Sequence, residues 1–427
     1  MPAKNSHGAT AELPPRITSI DALRGLVMFT MIFVNDLAGA PEEIVPNWMV
    51  HFSDRHHGGS GMTFVDLVFP AFLFIVGMSI PFALGARLAK GEAVWKIIFH
   101  IAIRTLSLLL LGILMVNESP DSKTMGWSAT WWVALMYLSA IIAFCGIAAP
   151  KSFSQAPGKI RVWRTLNLLL RGLGFAALAW LALAFRGKHG QAIVTLSPFS
   201  IHHDWYGILG LIGWAYLIGA LAFLFFRGNR TALLGCVVLL FCLYPADKSG
   251  LLDNFWLAHY VGIGETLGSQ AAIAVAGVLL ASILLAADTA TVWLRTRFAL
   301  LLIAGCSAAA LLLHGLYGIS KNDATPSWCL WSCAVTAALW LVFYFVADVR
   351  RITPLSKPFA IAGQNVLLAY LISEGWESFL NVLHLGDWYD HLAEANLFCA
   401  CARSVGVVAF ILALTALLNR VGFRLKL

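Results

Sequence analysis

The stretch FVDLVFPAFLFIVGMSIPFALGA, residues 64–86, decides the fold. It runs for 23 residues with one ionisable side chain, Asp66, near its start. A segment of about 20 apolar residues is long enough to cross the hydrocarbon core of a bilayer as a helix. Further runs of this kind lie at about 20–38, 95–116, 128–149, 165–186 and 205–226. Six more follow at about 231–245, 269–287, 298–317, 328–347, 359–381 and 399–421. The seventh run is short, and either it or the eleventh is a candidate re-entrant segment. The expected fold is therefore all-α, a polytopic membrane helix bundle of about twelve transmembrane helices.

Composition points the same way. The chain has 427 residues, 59% of them hydrophobic and only 12% charged, with a mean hydropathy of +0.79. Soluble domains carry about 25% charged residues, so this chain lacks the groups to cover a large core in water, and lipid must be its outer solvent. Residues 1–19 form a polar tail with Pro14 and Pro15. No small-residue cleavage site closes the first apolar run, so it reads as a retained membrane helix rather than a signal peptide. Residues 20–427 then form a single membrane domain. The eight cysteines sit in or beside apolar runs without a CxxC pair, which disfavours a zinc site or a disulfide framework and suits small packing residues.

Lysine and arginine set the orientation. With the N-terminus cytoplasmic, twenty of them fall in inside segments, from Lys4 and Arg16 to Arg424 and Lys426. Six fall outside: Arg55, Lys123, Arg186, Lys188, Lys248 and Lys321. Both termini are then cytoplasmic, and the net charge of +7 is a topology signal rather than a nucleic-acid patch. The outer loops gather nine of the twelve histidines, among them His51, His56, His57, His202, His203 and His259. Chemistry, if present, belongs to that face.

Two constellations stand out at the N-terminal end. Asp21 and Arg24 are three apart on one helix and can pair at its mouth, and that helix ends with Asn35 and Asp36. An amide at such a position can orient a neighbour or donate to an oxyanion. The loop His56-His57-Gly58-Gly59-Ser60-Gly61 runs into Thr63 and Asp66. Thr63 can cap the following helix with Asp66 at the third position, and a carboxylate there can accept from a histidine ring and fix its tautomer. An imidazole so held can act as general base or accept an acyl group. The alternative is a helix cap beside a solvated loop histidine. Arg104, Arg171 and Arg403 lie inside spans, where a charge needs a cavity or a partner. Ser200 to Trp205 carries His202, His203 and Asp204, which with Asp253, His259 and Glu265 can line an acceptor entrance; no metal is expected. The outer tryptophans fit an interfacial belt, with Trp48 a candidate sugar platform.

These residues resemble the heparan-α-glucosaminide N-acetyltransferase family, polytopic enzymes that move acetyl from cytosolic acetyl-CoA to an amino sugar across a membrane. The likeness rests on Asp21, Arg24-Gly25, Phe33-Val34-Asn35, Asp66-Leu67-Val68-Phe69-Pro70, Phe74-Ile75, Gly77 and Ser79-Ile80. It continues through Arg104, Gly112 and Val116-Asn117, and returns at Gly363-Gln364-Asn365, Tyr370 and Glu374. Carried over by position, the catalytic histidine falls on His56, ten residues before Asp66, with His57 as the neighbour a gap would select. Asp66 and Asn35 complete the implied catalytic set, and Arg104, Asn117 and Asn365 the implied acetyl-CoA set. The resemblance implies an acetyl-CoA-dependent N- or O-acetyltransferase of a bacterial inner membrane. Its expected partners are acetyl-CoA, a sugar or glycan acceptor and the lipid bilayer, with no nucleic acid and a homodimer left open. The rival reading is a transporter or exporter of a small polar solute, against which stands the lack of a clear internal repeat.

Overall fold

The computed structural model describes residues 17–55, 59–116, 120–149, 157–202, 207–352, 354, 359–360 and 363–425. Among them thirteen helices carry the architecture. These are α1 (Thr18–Leu37), α2 (Val68–Ala89), α3 (Val94–Val116), α4 (Ala129–Phe144) and α5 (Pro157–Ala184). Next come α6 (Ile208–Phe226), α7 (Arg230–Lys248), α8 (Ala271–Leu285), α9 (Val292–Tyr317) and α10 (Pro326–Phe343). The last three are α11 (Val366–Val382), α12 (Gly386–Glu394) and α13 (Leu397–Arg420). Two three-residue antiparallel ladders are the only sheet among the described residues. One pairs Cys145–Ile147 with Phe423–Leu425, and the other pairs Val194–Leu196 with Phe199–Ile201.

Each of the twelve apolar runs forms a helix, and the chain is a multi-pass, all-α membrane protein. Among the described residues nine helices are long and apolar enough to cross a membrane, or ten if one bent pair counts as a span. The difference from twelve has local causes. Helix α1 has 20 residues but carries Asp21, Arg24 and Asp36. Helix α4 has 16. Helix α11 has 17 and breaks by 113° into α12, so the eleventh run is the broken one. The seventh run, expected to be short, continues through Pro245 to Lys248 and has full spanning length.

Burial separates the helices by solvent. Every residue of α8 from Ala271 to Leu284 is buried, as befits a helix that is apolar on all sides. It is headed by a π-helical segment, Ile263–Gln270. By contrast α9 exposes Leu311, Leu312 and Leu316, a surface suited to lipid. The α2–α8 crossing is so close that a Cβ on Gly77 would collide with the carbonyl oxygen of Ala274, and one on Gly277 with that of Phe74. Small residues let membrane helices approach in this way.

Charge on α1 is neutralised along its length. Asp348, from the turn that ends α10, caps its start by accepting from Thr18 N at 3.0 Å and Ser19 N at 3.2 Å. Asp21 and Arg24 pair at 3.3 Å, and Arg24 also donates to Ser79 Oγ at 2.7 Å and Gly363 O at 3.3 Å. At the far end Asp36 meets Arg403 Nε at 3.3 Å and accepts from Ser404 Oγ at 2.6 Å and from the Tyr389 hydroxyl. Arg403 lies over the Tyr389 ring, 4.6 Å from its centroid. Thus α1 is pinned to α2, α12 and α13 by groups that would be costly if left alone.

Gly277→Ala should destabilise the bundle by about 1–3 kcal/mol through overpacking. Gly85→Ala, whose Cβ meets nothing within 4 Å, should leave stability equal or slightly higher because a helical glycine is replaced. Thermal unfolding in detergent compares the two directly.

Candidate active site

The backbone around Asp66 is irregular before α2 begins. A 3-10 turn, Val65–Leu67, precedes the helix, and the backbone at Phe52 and at Thr63 is tied to it. Asp66 is the reason it stays there. The side chain is 1% exposed, and both oxygens are used. Oδ1 lies 2.8 Å from His51 Nδ1; Oδ2 accepts from Thr63 N at 2.9 Å and Phe52 N at 3.1 Å. Thr63 Oγ1 donates to Val50 O at 2.7 Å and accepts from Val65 N at 3.2 Å. The cap expected from the sequence is present in this form, with Asp66 reaching back to the Thr63 amide. A carboxylate buried in this way requires several donors.

The imidazole on Asp66 belongs to His51. His56 and His57, to which the sequence assigned the role, lie outside the described residues, as do His203, Asp204 and Asn117. His51 has a partly exposed side chain at 32% and lines a cavity of about 680 Å³. Met31, Val34 and Asn35 of α1 form one wall; Val65, Val68 and Phe69 form another. Polar groups come from later in the chain: His259, Glu265, Gln270, Lys321 and Asn322. Of the expected entrance residues, His259 and Glu265 are here, and Asp253 and His202 are not among the lining residues. Trp48 is also outside the lining and rests on Phe64, ring centroids 5.8 Å apart. Asn35 donates through Nδ2 to Glu374 Oε1 at 2.9 Å, so α11 backs the Asn35 side of this wall.

A second cavity of about 590 Å³ lies along the other half of α1. It is bordered by Arg24, Ser79, His100, Arg104, Asn365 and Tyr370. Arg104 lies over the Tyr216 ring, 4.6 Å from its centroid, and its Nε has no hydrogen-bond partner among the described residues. Asn365 donates to Asn419 Oδ1 at 3.1 Å and accepts from Leu425 N at 3.4 Å. The two cavities have Met31 and Ile208 in common. From Arg24 to Asn35 the helix rises about 16 Å, so the basic cavity and the His51 cavity are stacked end to end. The other intramembrane arginines are committed elsewhere: Arg403 to Asp36, and Arg171 to the carbonyl of Ala143 at 3.1 Å. Among the described residues no three His, Cys, Asp or Glu gather as a metal site.

Sequence reasoning missed His51 and Lys321. Lys321 Nζ lies 3.1 Å from His51 Nε2 and 3.2 Å from Nδ1. His51 had only its outer-loop position to mark it, fifteen residues before Asp66. Lys321 had no signal, because its approach depends on how two distant loops pack.

Residues 16–129 match a family described as a domain of unknown function (DUF5009). The chain is also 33% identical over 115 residues to the heparan-alpha-glucosaminide N-acetyltransferase of Homo sapiens. It is 30% identical over 112 residues to that of Mus musculus. The matched parts cover 27% and 26% of this chain, and 16% of each relative's length. Similarity to this acetyltransferase family, read above from motifs, is thus found over about a quarter of the chain. Asn35, Asp66 and Arg104 fall inside residues 16–129; Lys321 and Glu374 do not.

Asp66→Asn would leave the Phe52 and Thr63 amides without a charged acceptor, a loss of about 1.5–3 kcal/mol for each such bond. Hydrogen exchange at those amides should accelerate by roughly tenfold to a hundredfold. Unchanged protection there would contradict the hydrogen bonds assigned to Asp66.

Proposed function

We propose that the chain is an acetyl-CoA-dependent transmembrane acyltransferase. It carries acetyl from cytosolic acetyl-CoA to an amine or hydroxyl of a sugar or glycan on the opposite side of a bacterial inner membrane. The observation that carries the reading is His51, 2.8 Å from Asp66, on the wall of a cavity that meets a second, arginine-bordered cavity at Met31 and Ile208. The two relatives, heparan-alpha-glucosaminide N-acetyltransferases by name, support the class of reaction.

Each cavity suits one substrate. Arg104 borders the second beside Arg24, and its guanidinium, with Nε unpartnered among the described residues, can take phosphate oxygens of CoA. With the N-terminus cytoplasmic, as the lysine and arginine bias implies, this cavity faces the CoA pool. The thioester arm then runs along α1 past Met31 and brings its carbonyl to the His51 cavity. There the acceptor enters from the side of His259 and Glu265.

His51 supplies the base. With its Nδ1–H donated to Asp66, Nε2 keeps the lone pair and takes the proton from the attacking amine or hydroxyl. Asp66 holds the ring in that tautomer, and Asn35, steadied by Glu374, offers an amide to the thioester oxygen or the acceptor. The resemblance assigns this base to His56; His51 is the imidazole that meets Asp66 among the described residues. Both are tested together.

Purified protein in proteoliposomes, given labelled acetyl-CoA on one side and D-glucosamine on the other, reads transfer by mass spectrometry. His51→Ala should lower the rate about 10²–10⁴-fold while acetyl-CoA still raises the melting temperature. Full activity of His51→Ala beside an inactive His56→Ala would move the base to His56. Arg104→Gln should raise the KM for acetyl-CoA about tenfold, the loss of one charge-assisted contact of about 1.4 kcal/mol. It should also weaken thermal stabilisation by CoA.

A further inference from the structure

Lys321 belongs to the loop between α9 and α10, and that loop is held in place by specific bonds. Ile319 N donates to Ser60 Oγ at 2.7 Å, and Gly61 N to Ile319 O at 3.0 Å. Thr325 Oγ1 accepts from Ser320 N at 3.0 Å, and Ser320 Oγ donates to Asp323 Oδ2 at 2.7 Å. Ala324 has a φ of 45°, a left-handed conformation that costs a β-carbon residue about 1 kcal/mol or more and persists only where the surroundings fix it. The loop is thus a rigid arm laid on the segment that carries His51.

The arm ends with the Lys321 ammonium beside the imidazole, 3.1 Å from Nε2 and 3.2 Å from Nδ1. A position so nearly equidistant is not an in-line hydrogen bond to either nitrogen. It sets a positive charge next to the ring on the cavity wall. Both side chains line the same cavity, and Asp66 occupies the Nδ1 side.

We propose that Lys321 is a further catalytic residue, the cation that stabilises the oxyanion formed beside His51 during acyl transfer. The proposal rests on the acetyltransferase reading. The acceptor nitrogen or oxygen bonds to the thioester carbonyl carbon, and His51 Nε2 takes its proton. The carbonyl electron pair moves onto oxygen, and the new anion lies within reach of the ammonium. Collapse re-forms the carbonyl and breaks the carbon–sulfur bond, and the CoA thiolate leaves with the proton returned from His51. A fixed cation aimed at charge that exists only in the transition state accelerates the step without tightening ground-state binding.

The test uses the full chain in proteoliposomes with acetyl-CoA and D-glucosamine. Lys321→Met should lower kcat about 10²–10³-fold, the range for removing one oxyanion donor. Its KM for acetyl-CoA and its thermal stabilisation by acetyl-CoA should match the wild type, which a merely structural loss would not allow. Lys321→Arg, keeping the charge, should recover about tenfold or more of that rate. A Lys321→Met enzyme within about threefold of wild-type kcat, or a Lys321→Arg enzyme as slow as Lys321→Met, would overturn the role of Lys321 alone. Wild-type protein that transfers no acetyl to any amine or hydroxyl would overturn the acetyltransferase reading, and this role with it.

Discussion

A single buried carboxylate organises the mouth of this bundle. Asp66 is held among apolar helices, where an unpaired charge would cost several kcal/mol. Its oxygens therefore collect the amides of Phe52 and Thr63 and the ring of His51. Those contacts tie His51, Phe52 and Thr63 to the head of α2, where His51 lines the cavity. The same rule governs Asp36 with Arg403 and Asp21 with Arg24. Charge placed in lipid surroundings specifies tertiary structure by the partners it demands.

Much of the fold was legible from hydropathy alone, because spanning helices are set by length and composition rather than by contacts. Each of the twelve runs became a helix, and the Asp21–Arg24 pair and the Thr63–Asp66 cap followed from spacing on a local backbone. What spacing could not show was of a different kind. Tyr389 meets Asp36 across 353 residues of sequence. Lys321 reaches His51 across 270. Periodicity carries no information about such encounters. The contact of His51 with Asp66 was not legible because a loop histidine fifteen residues from its carboxylate has no fixed register; the family spacing points to His56, outside the described residues.

The candidate site is composite in origin as well as in space. Asn35, Asp66 and Arg104 belong to the part matched by the domain of unknown function, but Glu265, Lys321 and Glu374 come from beyond residue 129. The polar lining of the His51 cavity comes mostly from this later part. A bundle can keep one donor cavity and one base while its opposite wall diverges, since the wall residues sit on loops and helix ends that tolerate change better than packed helix faces.

The Met31–Ile208 boundary between the cavities has a consequence for the membrane itself. Both side chains are apolar, and an ion passing between them would shed its hydration with nothing to replace it. A neutral thioester bears no such penalty, and a methionine's unbranched chain can bend aside for it. In the proposed reaction the acyl group changes compartment by covalent exchange and the acceptor's proton leaves on the CoA thiol, a charge-balanced swap that opens no path for salt.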